Sequence, residues 1–360
     1  MKKILFVINL SPPVHGASSI GDYIKKSSAL KKEFNSKFIN IGLSSKVNEI
    51  NHLNPFKIFR YIKILIDVLI CMIFFRPNLI VVTPTSYGNG LYKDSLIILL
   101  IKLFSRNIML HFHNKRIESS LNKLEEIIYK IIFKDLKVIL LSKLLLNDFI
   151  KYFDNTKISY LPNGIPEIRC KKEYDKTHLV NILFLSNLIK KKGVWDLLKA
   201  LKILKLNKLN FDCTVIGDSG DIDKATFKKA INREGLNSDV HYLGPKYGNN
   251  KSIFFQKADI FVLPTEFECF PLVILEAMQY GLPIVSTFEG AIPEIVEENS
   301  SGFLVKKNDS LELASKLTKL INNKKLRISF GKRSRFIYDN KYRLKTFESN
   351  LISIIKLNIN

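Results

Sequence analysis

What this chain lacks narrows it first. Its four cysteines (Cys71, Cys170, Cys213 and Cys269) are scattered, with no Cys-x-x-Cys and no histidines spaced as zinc partners. That argues against a disulfide framework or a zinc module and fits a reducing compartment. No Gly-x-Gly-x-x-Gly follows an apolar run, so a nicotinamide-dependent oxidoreductase is the poorer reading of an α/β chain. There is no low-complexity tract and no short repeat, which excludes a solenoid. The opening apolar run Ile4–Ile8 is too short for the core of a secretory signal, and no small-residue cleavage site follows it. It reads as a first strand. The longest later apolar run, Val68–Phe75, falls well short of the ~20 residues that a membrane span needs.

Acidic residues are also scarce. Against 56 Lys and Arg stand 33 Asp and Glu, a net charge of +23. The excess is spread along the chain: residues 1–170 hold 25 basic and 12 acidic residues. No recognition helix, zinc finger or aromatic-basic sheet signature accompanies it, which disfavours nucleic acid as the partner. An anionic membrane surface attracts such a chain equally well, at about 1 kcal/mol per nearby Lys or Arg. A general bias toward Lys, Asn and Ile accounts for part of the excess. Two apolar stretches, Tyr61–Phe75 and Leu96–Ile101, read either as buried helices or, with the basic charge, as a face lying on a membrane.

What is present is a strand–helix alternation that runs twice. Apolar, β-branched runs at Ile4–Ile8, Leu79–Thr83, Ile108–His111, Val138–Leu141 and Ile158–Leu161 read as strands. Helical spacing lies between them at Ile20–Lys31, Lys57–Phe75, Ser95–Phe104 and Ser120–Phe133. A break at Leu161–Pro166 and a polar stretch Arg169–His178 follow. The pattern restarts with strands at Ile182–Leu185, Cys213–Ile216, Val240–Leu243, Ile260–Leu263 and Ile284–Ser286, and helices at Trp195–Leu204, Lys224–Glu234, Ile253–Lys257, Leu272–Tyr280 and Leu311–Ile321. The expectation is an α/β protein of two Rossmann-like domains with parallel sheets facing a central cleft, 1–165 and 166–344, ligands lying at the carboxyl ends of the strands.

The most informative segment is Thr265–Met278. Glu268 and Glu276 stand with seven residues between them around Phe270-Pro271. Pro271 suits the first helical position, and Gly281-Leu282-Pro283 suits the helix end. Glu268 is then expected in the strand-to-helix loop and Glu276 inside the helix, about 7 Å of axis beyond Pro271. The unpaired N–H groups near Phe270–Leu272 suit an anion such as a diphosphate. Carboxylate, anion cradle and carboxylate fit a sugar, its diphosphate and a ribose.

This spacing, followed by Gly281-Leu282-Pro283-Ile284-Val285, Gly290-Ala291-Ile292-Pro293-Glu294-Ile295 and Ser301-Gly302-Phe303-Leu304-Val305, resembles the retaining glycosyltransferases of family 4 (group 1). The resemblance implies the GT-B fold, an NDP-sugar donor and no metal or other cofactor. It implies Glu276 on the ribose and Glu268 on the donor sugar, as the leading catalytic carboxylate rather than a covalent nucleophile. It also implies that the final helix, about 345–360, packs back on the first domain, whose task would be acceptor binding.

The remaining motifs are carried over residue by residue. Gly16, in Ser11–Ser18 after the first strand, matches the glycine loop that faces donor and acceptor; His15 reads equally as a site residue or a loop residue. His113 matches the site histidine after the third strand candidate, while His111 lies inside the strand and reads as a core residue. Lys192, before Gly193, matches the lysine on the donor phosphates, although a surface lysine cluster is the bland alternative. Asn187 stands where the family has an arginine, and Cys269 where it has a glycine. A cysteine at a position needing φ > 0 would be strained. These two departures leave a second reading open, a silent scaffold or donor-binding subunit. The main expectation is transfer of a hexose-type sugar to a lipid-linked glycan in lipopolysaccharide, O-antigen or capsule synthesis. Its expected place is the cytoplasmic face of a bacterial membrane.

Overall fold

The computed structural model describes residues 1–44, 55–116, 122–168 and 179–359. They form two units, Met1–Gly164 with Leu344–Asn360, and Ile165–Arg343. Cys170 and the polar stretch 169–178 lie outside the described residues.

In the first unit, β1 (Lys3–Ile8) leads through α1 (Gly16–Lys26) and α2 (Ser28–Glu33) to β2 (Asn35–Asn40). The chain continues through α3 (Pro55–Ile70), β3 (Leu79–Val82), α4 (Gly88–Lys102) and β4 (Ile108–His111). It ends with α5 (Lys123–Ile127), β5 (Lys137–Leu140) and β6 (Ile158–Tyr160). The six strands lie in the order β2-β1-β3-β4-β5-β6, every pair parallel. The inner strands are apolar without alternation because helices cover both faces of such a sheet. β2 is the strand of this unit that the sequence pattern did not reveal, as β12 (Gly302–Val305) is of the second. β2 is an edge strand, Asn-Ser-Lys-Phe-Ile-Asn, in which only Ile39 is buried.

Right-handed crossovers put the helices that follow β2, β3 and β4 on one face of this sheet and α1 and α2 on the other. Contacts of α3 with α4 and of α4 with α5 agree. The helical stretches expected at Lys57–Phe75 and Ser120–Phe133 each finish in a π turn, Cys71–Phe75 and Ile128–Ile132. The one expected at Ile20–Lys31 is interrupted at Ser27, whose hydroxyl caps α2 by accepting from the Leu30 N–H.

The second unit runs β7 (Val180–Leu185), α6 (Val194–Leu206), β8 (Phe211–Ile216), α7 (Lys224–Arg233), β9 (Val240–Tyr242) and α8 (Asn249–Lys257). Then come β10 (Ile260–Leu263), α9 (Leu272–Gln279), β11 (Ile284–Thr287), α10 (Ile292–Ile295), β12 (Gly302–Val305), α11 (Ser310–Asn322) and α12 (Lys324–Ile337). The strand order is β12-β11-β10-β7-β8-β9, again all parallel. From β7 the chain winds outward to β9, then returns to β10 and winds the other way. The reversal leaves a switch point between β7 and β10, where the loops leaving the two strands part and open a crevice. A last helix, α13 (Leu344–Asn358), belongs to the first unit, where Lys356 pairs with Glu33 at 2.7 Å.

Candidate functional site

The loops on either side of the switch point in the second unit carry the residues singled out above. After β7, Lys190–Lys192 form a short 3-10 turn that ends at Gly193 in the left-handed region. A side chain on Gly193 would put its Cβ 1.8 Å from the Pro264 carbonyl oxygen, so the turn lies directly on the loop after β10. Two hydrogen bonds lock that contact: the Thr265 hydroxyl and the Glu266 N–H donate to the Lys191 carbonyl at 3.0 and 2.8 Å. The result brings Lys192 onto Glu268 in a hydrogen-bonded ion pair.

The loop after β11 braces Glu268 from another direction. The Glu268 N–H donates to the Glu289 carboxylate at 3.3 Å. Glu289 is buried and pairs with Lys307. The Ala291 N–H donates to the Cys269 carbonyl at 2.9 Å. Gly290 lies so close that a Cβ there would fall 2.2 Å from the Glu268 carbonyl oxygen. Cys269 has no positive φ, so the strain expected for a cysteine at this position does not arise.

Pro271 is not the first helical residue. It is the N-cap of α9, with φ −72° and ψ 109°, and Leu272 opens the helix. The extended ψ explains the difference: proline's ring fixes φ where either role tolerates it, but the turn from the loop is completed only after Pro271. No side chain caps this end, so the first N–H groups of α9 keep the unpaired character of a helix start. Phe270 is buried edge-on against Tyr342, ring centroids 5.9 Å apart. One turn into α9, Glu276 accepts from Lys251 of α8 at 2.6 Å.

Asn187 lies in the loop after β7, where its side-chain oxygen accepts from the Asp218 N–H at 3.1 Å. It ties that loop to the one after β8. Lys192, Glu268, Glu276 and Asn187 thus share the carboxyl-end loops and the start of α9. Sequence reasoning missed Lys251, Glu289 and Lys307. Lys251 is separated from its partner by a strand and a loop, and Glu289 directly precedes the glycine of a motif already noted.

In the first unit, β4 delivers the histidines. His111 and His113 lie with ring centroids 4.1 Å apart and planes tilted by 48°, and none of their ring nitrogens has a hydrogen-bond partner among the described residues. Burial, and to a lesser degree His15, pushes the His113 imidazole down to about 3; burial and then His113 push His111 well below its ordinary value. Both rings are therefore neutral near pH 7, able to accept or donate a hydrogen bond but not to act as cations. His15 is the N-cap of α1: its Nδ1 accepts from the Ser18 N–H at 3.3 Å. Gly16 opens α1 with open space where a Cβ would stand. The glycine that packing demands is Gly21, whose Cβ would meet the Asn9 carbonyl oxygen at 2.0 Å. Among the described residues, no three His, Cys, Asp or Glu side chains gather as a metal site.

Comparison with known proteins bears on the second unit most. Residues 167–336 match the family described as glycosyl transferases group 1. The amylovoran biosynthesis glycosyltransferase AmsK of Erwinia amylovora is 36% identical over 147 residues, which is 39% of this chain and 36% of that protein. The capsular polysaccharide biosynthesis glycosyltransferase CapM of Staphylococcus aureus is 29% identical over 163 residues, 44% of this chain and 41% of that one. The chain thus spans less than half the length of the curated relatives it matches. The crystal structure of Anabaena Alr3699/HepE in complex with UDP-glucose covers 99% of this chain and 100% of its own, with a TM-score of 0.73 and 16% identity. At that identity the likeness concerns the fold, and the fold is GT-B: two parallel-sheet α/β units.

Proposed function

From a second unit that is a group 1 glycosyl transferase domain, we propose that the chain moves a sugar from a nucleoside-diphosphate donor to a glycan acceptor. The observation that carries this is the Lys192–Glu268 pair at the switch point, beside the uncapped start of α9. Lys192 and the first N–H groups of α9 hold the donor diphosphate, and on leaving-group departure they offset its charge. Glu268, released from Lys192 as phosphate replaces it, accepts hydrogen bonds from the donor sugar hydroxyls. Glu276 receives the ribose hydroxyls, with Lys251 fixing its rotamer. Phe270, Pro271 and Leu272 shape the turn under the diphosphate, and Asn187 contributes a neutral hydrogen bond beside it.

The acceptor side falls to the first unit, where His113 follows β4 and Gly16 opens α1. The neutral His113 ring, its nitrogens unpartnered among the described residues, offers a hydrogen bond to a sugar hydroxyl. Transfer retains anomeric configuration by same-face attack, the donor phosphate taking the acceptor proton. Glu268 is not a nucleophile in this reading, because same-face attack forms no covalent glycosyl-enzyme and Glu268 is not set against a second acid across a scissile bond. Charge stabilisation by Lys192 and α9 leaves no step that needs a metal. The acceptor is lipid-linked and serves surface-polysaccharide synthesis, so the protein works peripherally on the cytoplasmic face of a membrane. Relatives in amylovoran and capsular polysaccharide biosynthesis support this pathway class.

Release of nucleoside diphosphate from labelled donor, with and without acceptor lipid extract, tests the reading. The wild type should turn over, and Glu268→Ala should not while still binding donor. Turnover unchanged in Glu268→Ala would reject the assignment.

A further inference from the structure

The first unit carries an apolar outer face that its own core does not use. Helix α3 has two apolar sides, with Arg60, Lys63 and Asp67 on the flank between them. Ile64 and Val68, continued by Met72 and Phe75 of the π turn, form its buried side. On the opposite side Phe59, Ile62, Ile66, Ile70 and Ile73 recur at three- and four-residue steps and remain exposed, Phe59 at 74%. The π turn extends this stripe to Phe74, 77% exposed. Helix α4, in contact with α3, adds Leu96, Leu99 and Leu103, the last 79% exposed. Ile127 and Ile131 of α5 and its π turn continue it.

A helix that is apolar on two opposite sides needs a second apolar neighbour, and contiguous exposed apolar surface marks an interaction site. The other face of the same sheet sets the contrast. There α1 and α2 leave no large apolar side chain exposed, and α13 leaves only Leu357. Charge identifies the neighbour. Between residues 55 and 76 stand Lys57, Arg60, Lys63 and Arg76 against the single acid Asp67. Asp67 is engaged by Lys63 at 3.6 Å. No helix among the described residues is long and apolar enough to cross a membrane.

We propose that the α3–α4–α5 face lies on an anionic bilayer. Its apolar stripe enters the boundary between acyl chains and headgroups, and its lysines and arginines reach the lipid phosphates. An apolar stripe bordered by cations is the composition by which a helix lies in an interface without crossing it. Lipids supply both the apolar and the anionic half at once, whereas a protein partner would have to match each separately. The inference deepens the reading of a lipid-linked acceptor and rests on it for its purpose, but docking itself needs neither donor nor acceptor.

Flotation of the full chain with two vesicle types tests it: phosphatidylcholine alone, and phosphatidylcholine mixed with phosphatidylglycerol. The wild type should float with the mixed vesicles and weakly with the neutral ones. A triple variant, Phe59→Ser with Ile66→Ser and Phe74→Ser, alters only exposed side chains; it should keep the wild-type Tm and lose about tenfold or more in vesicle affinity. Lys57→Glu with Arg60→Glu should lose binding to the mixed vesicles selectively, as the electrostatic part alone is removed. Wild-type protein that floats with neither vesicle would overturn the proposal. So would serine-variant protein that floats as well as the wild type. Self-association of the wild type in sedimentation velocity, abolished by the serine variant while neither protein floats, would assign the face to a second copy instead. Transfer to a water-soluble acceptor should be equal in wild type and serine variant, so loss of docking and failure of the transferase reading are separable.

Discussion

Both units are built on a six-stranded parallel sheet, yet they spend their surfaces differently. In the second unit the strand ends are bound to one another. Lys192 holds Glu268, Lys251 holds Glu276, Lys307 holds Glu289, and glycines at 193 and 290 let the loops touch. In the first unit the strand ends are tied by neutral groups instead: the Asn9 N–H donates to the Thr83 hydroxyl and the Leu10 N–H to the Asn40 side-chain oxygen, each at 3.1 Å. Among the described residues the His111 and His113 ring nitrogens have no hydrogen-bond partner, and a Cβ on Gly16 would meet nothing. The outer helices reverse the contrast, since the first unit exposes a continuous apolar stripe and the second only scattered apolar side chains. A shared core thus constrains neither the loops nor the outer face, and both differences lie where a ligand or a surface can reach.

The largest expected break in this comparison is at Lys192. Lys192→Ala removes the cation proposed to offset the leaving diphosphate and should lower kcat by about a hundredfold or more. The rate should be read at saturating donor, with Tm near wild type. Glu276→Ala should act on binding instead, raising the donor Kd by about tenfold through loss of a charge-assisted hydrogen bond.

Glu289→Ala removes a buried carboxylate and frees the Glu268 N–H. Because Lys307 is partly exposed and can return to water, the expected cost is about 2 kcal/mol rather than the larger penalty of a fully buried orphan. Urea denaturation would measure it. Glu289→Gln, which can still accept from the Glu268 N–H, should recover part of that stability in the same assay.

The histidines give the first unit a pH signature. The folded His113 pKa, about 3, lies below its ordinary value of 6.5. The unfolded chain therefore binds a proton that the folded chain refuses. The resulting stability is intact above pH 6.5 and declines as pH falls toward 3, at up to about 1.4 kcal/mol per pH unit for this residue. His113→Asn should flatten that acid limb in a Tm-against-pH series.

The smallest expected effect is Gly16→Ala, which should leave Tm unchanged, since a Cβ there meets nothing. Gly290→Ala, with φ +53° and a Cβ 2.2 Å from a carbonyl oxygen, should destabilise by more than about 2 kcal/mol in the same thermal assay.

The sequence revealed most where chemistry and punctuation coincide. Glu268, Pro271 and Gly281 mark the β10–α9 turn by residue types with few other uses, and the structure keeps that turn with Pro271 shifted to the cap. Strong apolar runs such as Ile260–Leu263 were legible because a strand buried on both faces has no other composition. β2 was not, because an edge strand needs only one buried apolar residue. α12 was hidden as well, since Lys324–Ile337 is basic over most of its length and buries only a narrow side, Phe330 and Ile337 among it. Lys251 and Glu289 escaped because pairing across loops leaves no local trace in composition. The two readings of Tyr61–Phe75, buried helix and membrane face, divided a helix with one buried side and one exposed apolar side.

Donor binding by the second unit is the claim on which the rest depends. Thermal-shift measurement with UDP-, GDP-, ADP- and TDP-sugars, on wild type and Glu276→Ala, tests it most directly, since a ligand of the folded state must raise its Tm. The account predicts a rise with one nucleotide class that vanishes in the variant. No rise with any donor, at concentrations that saturate ordinary nucleotide-sugar sites, would contradict it and leave the chain a silent member of its fold.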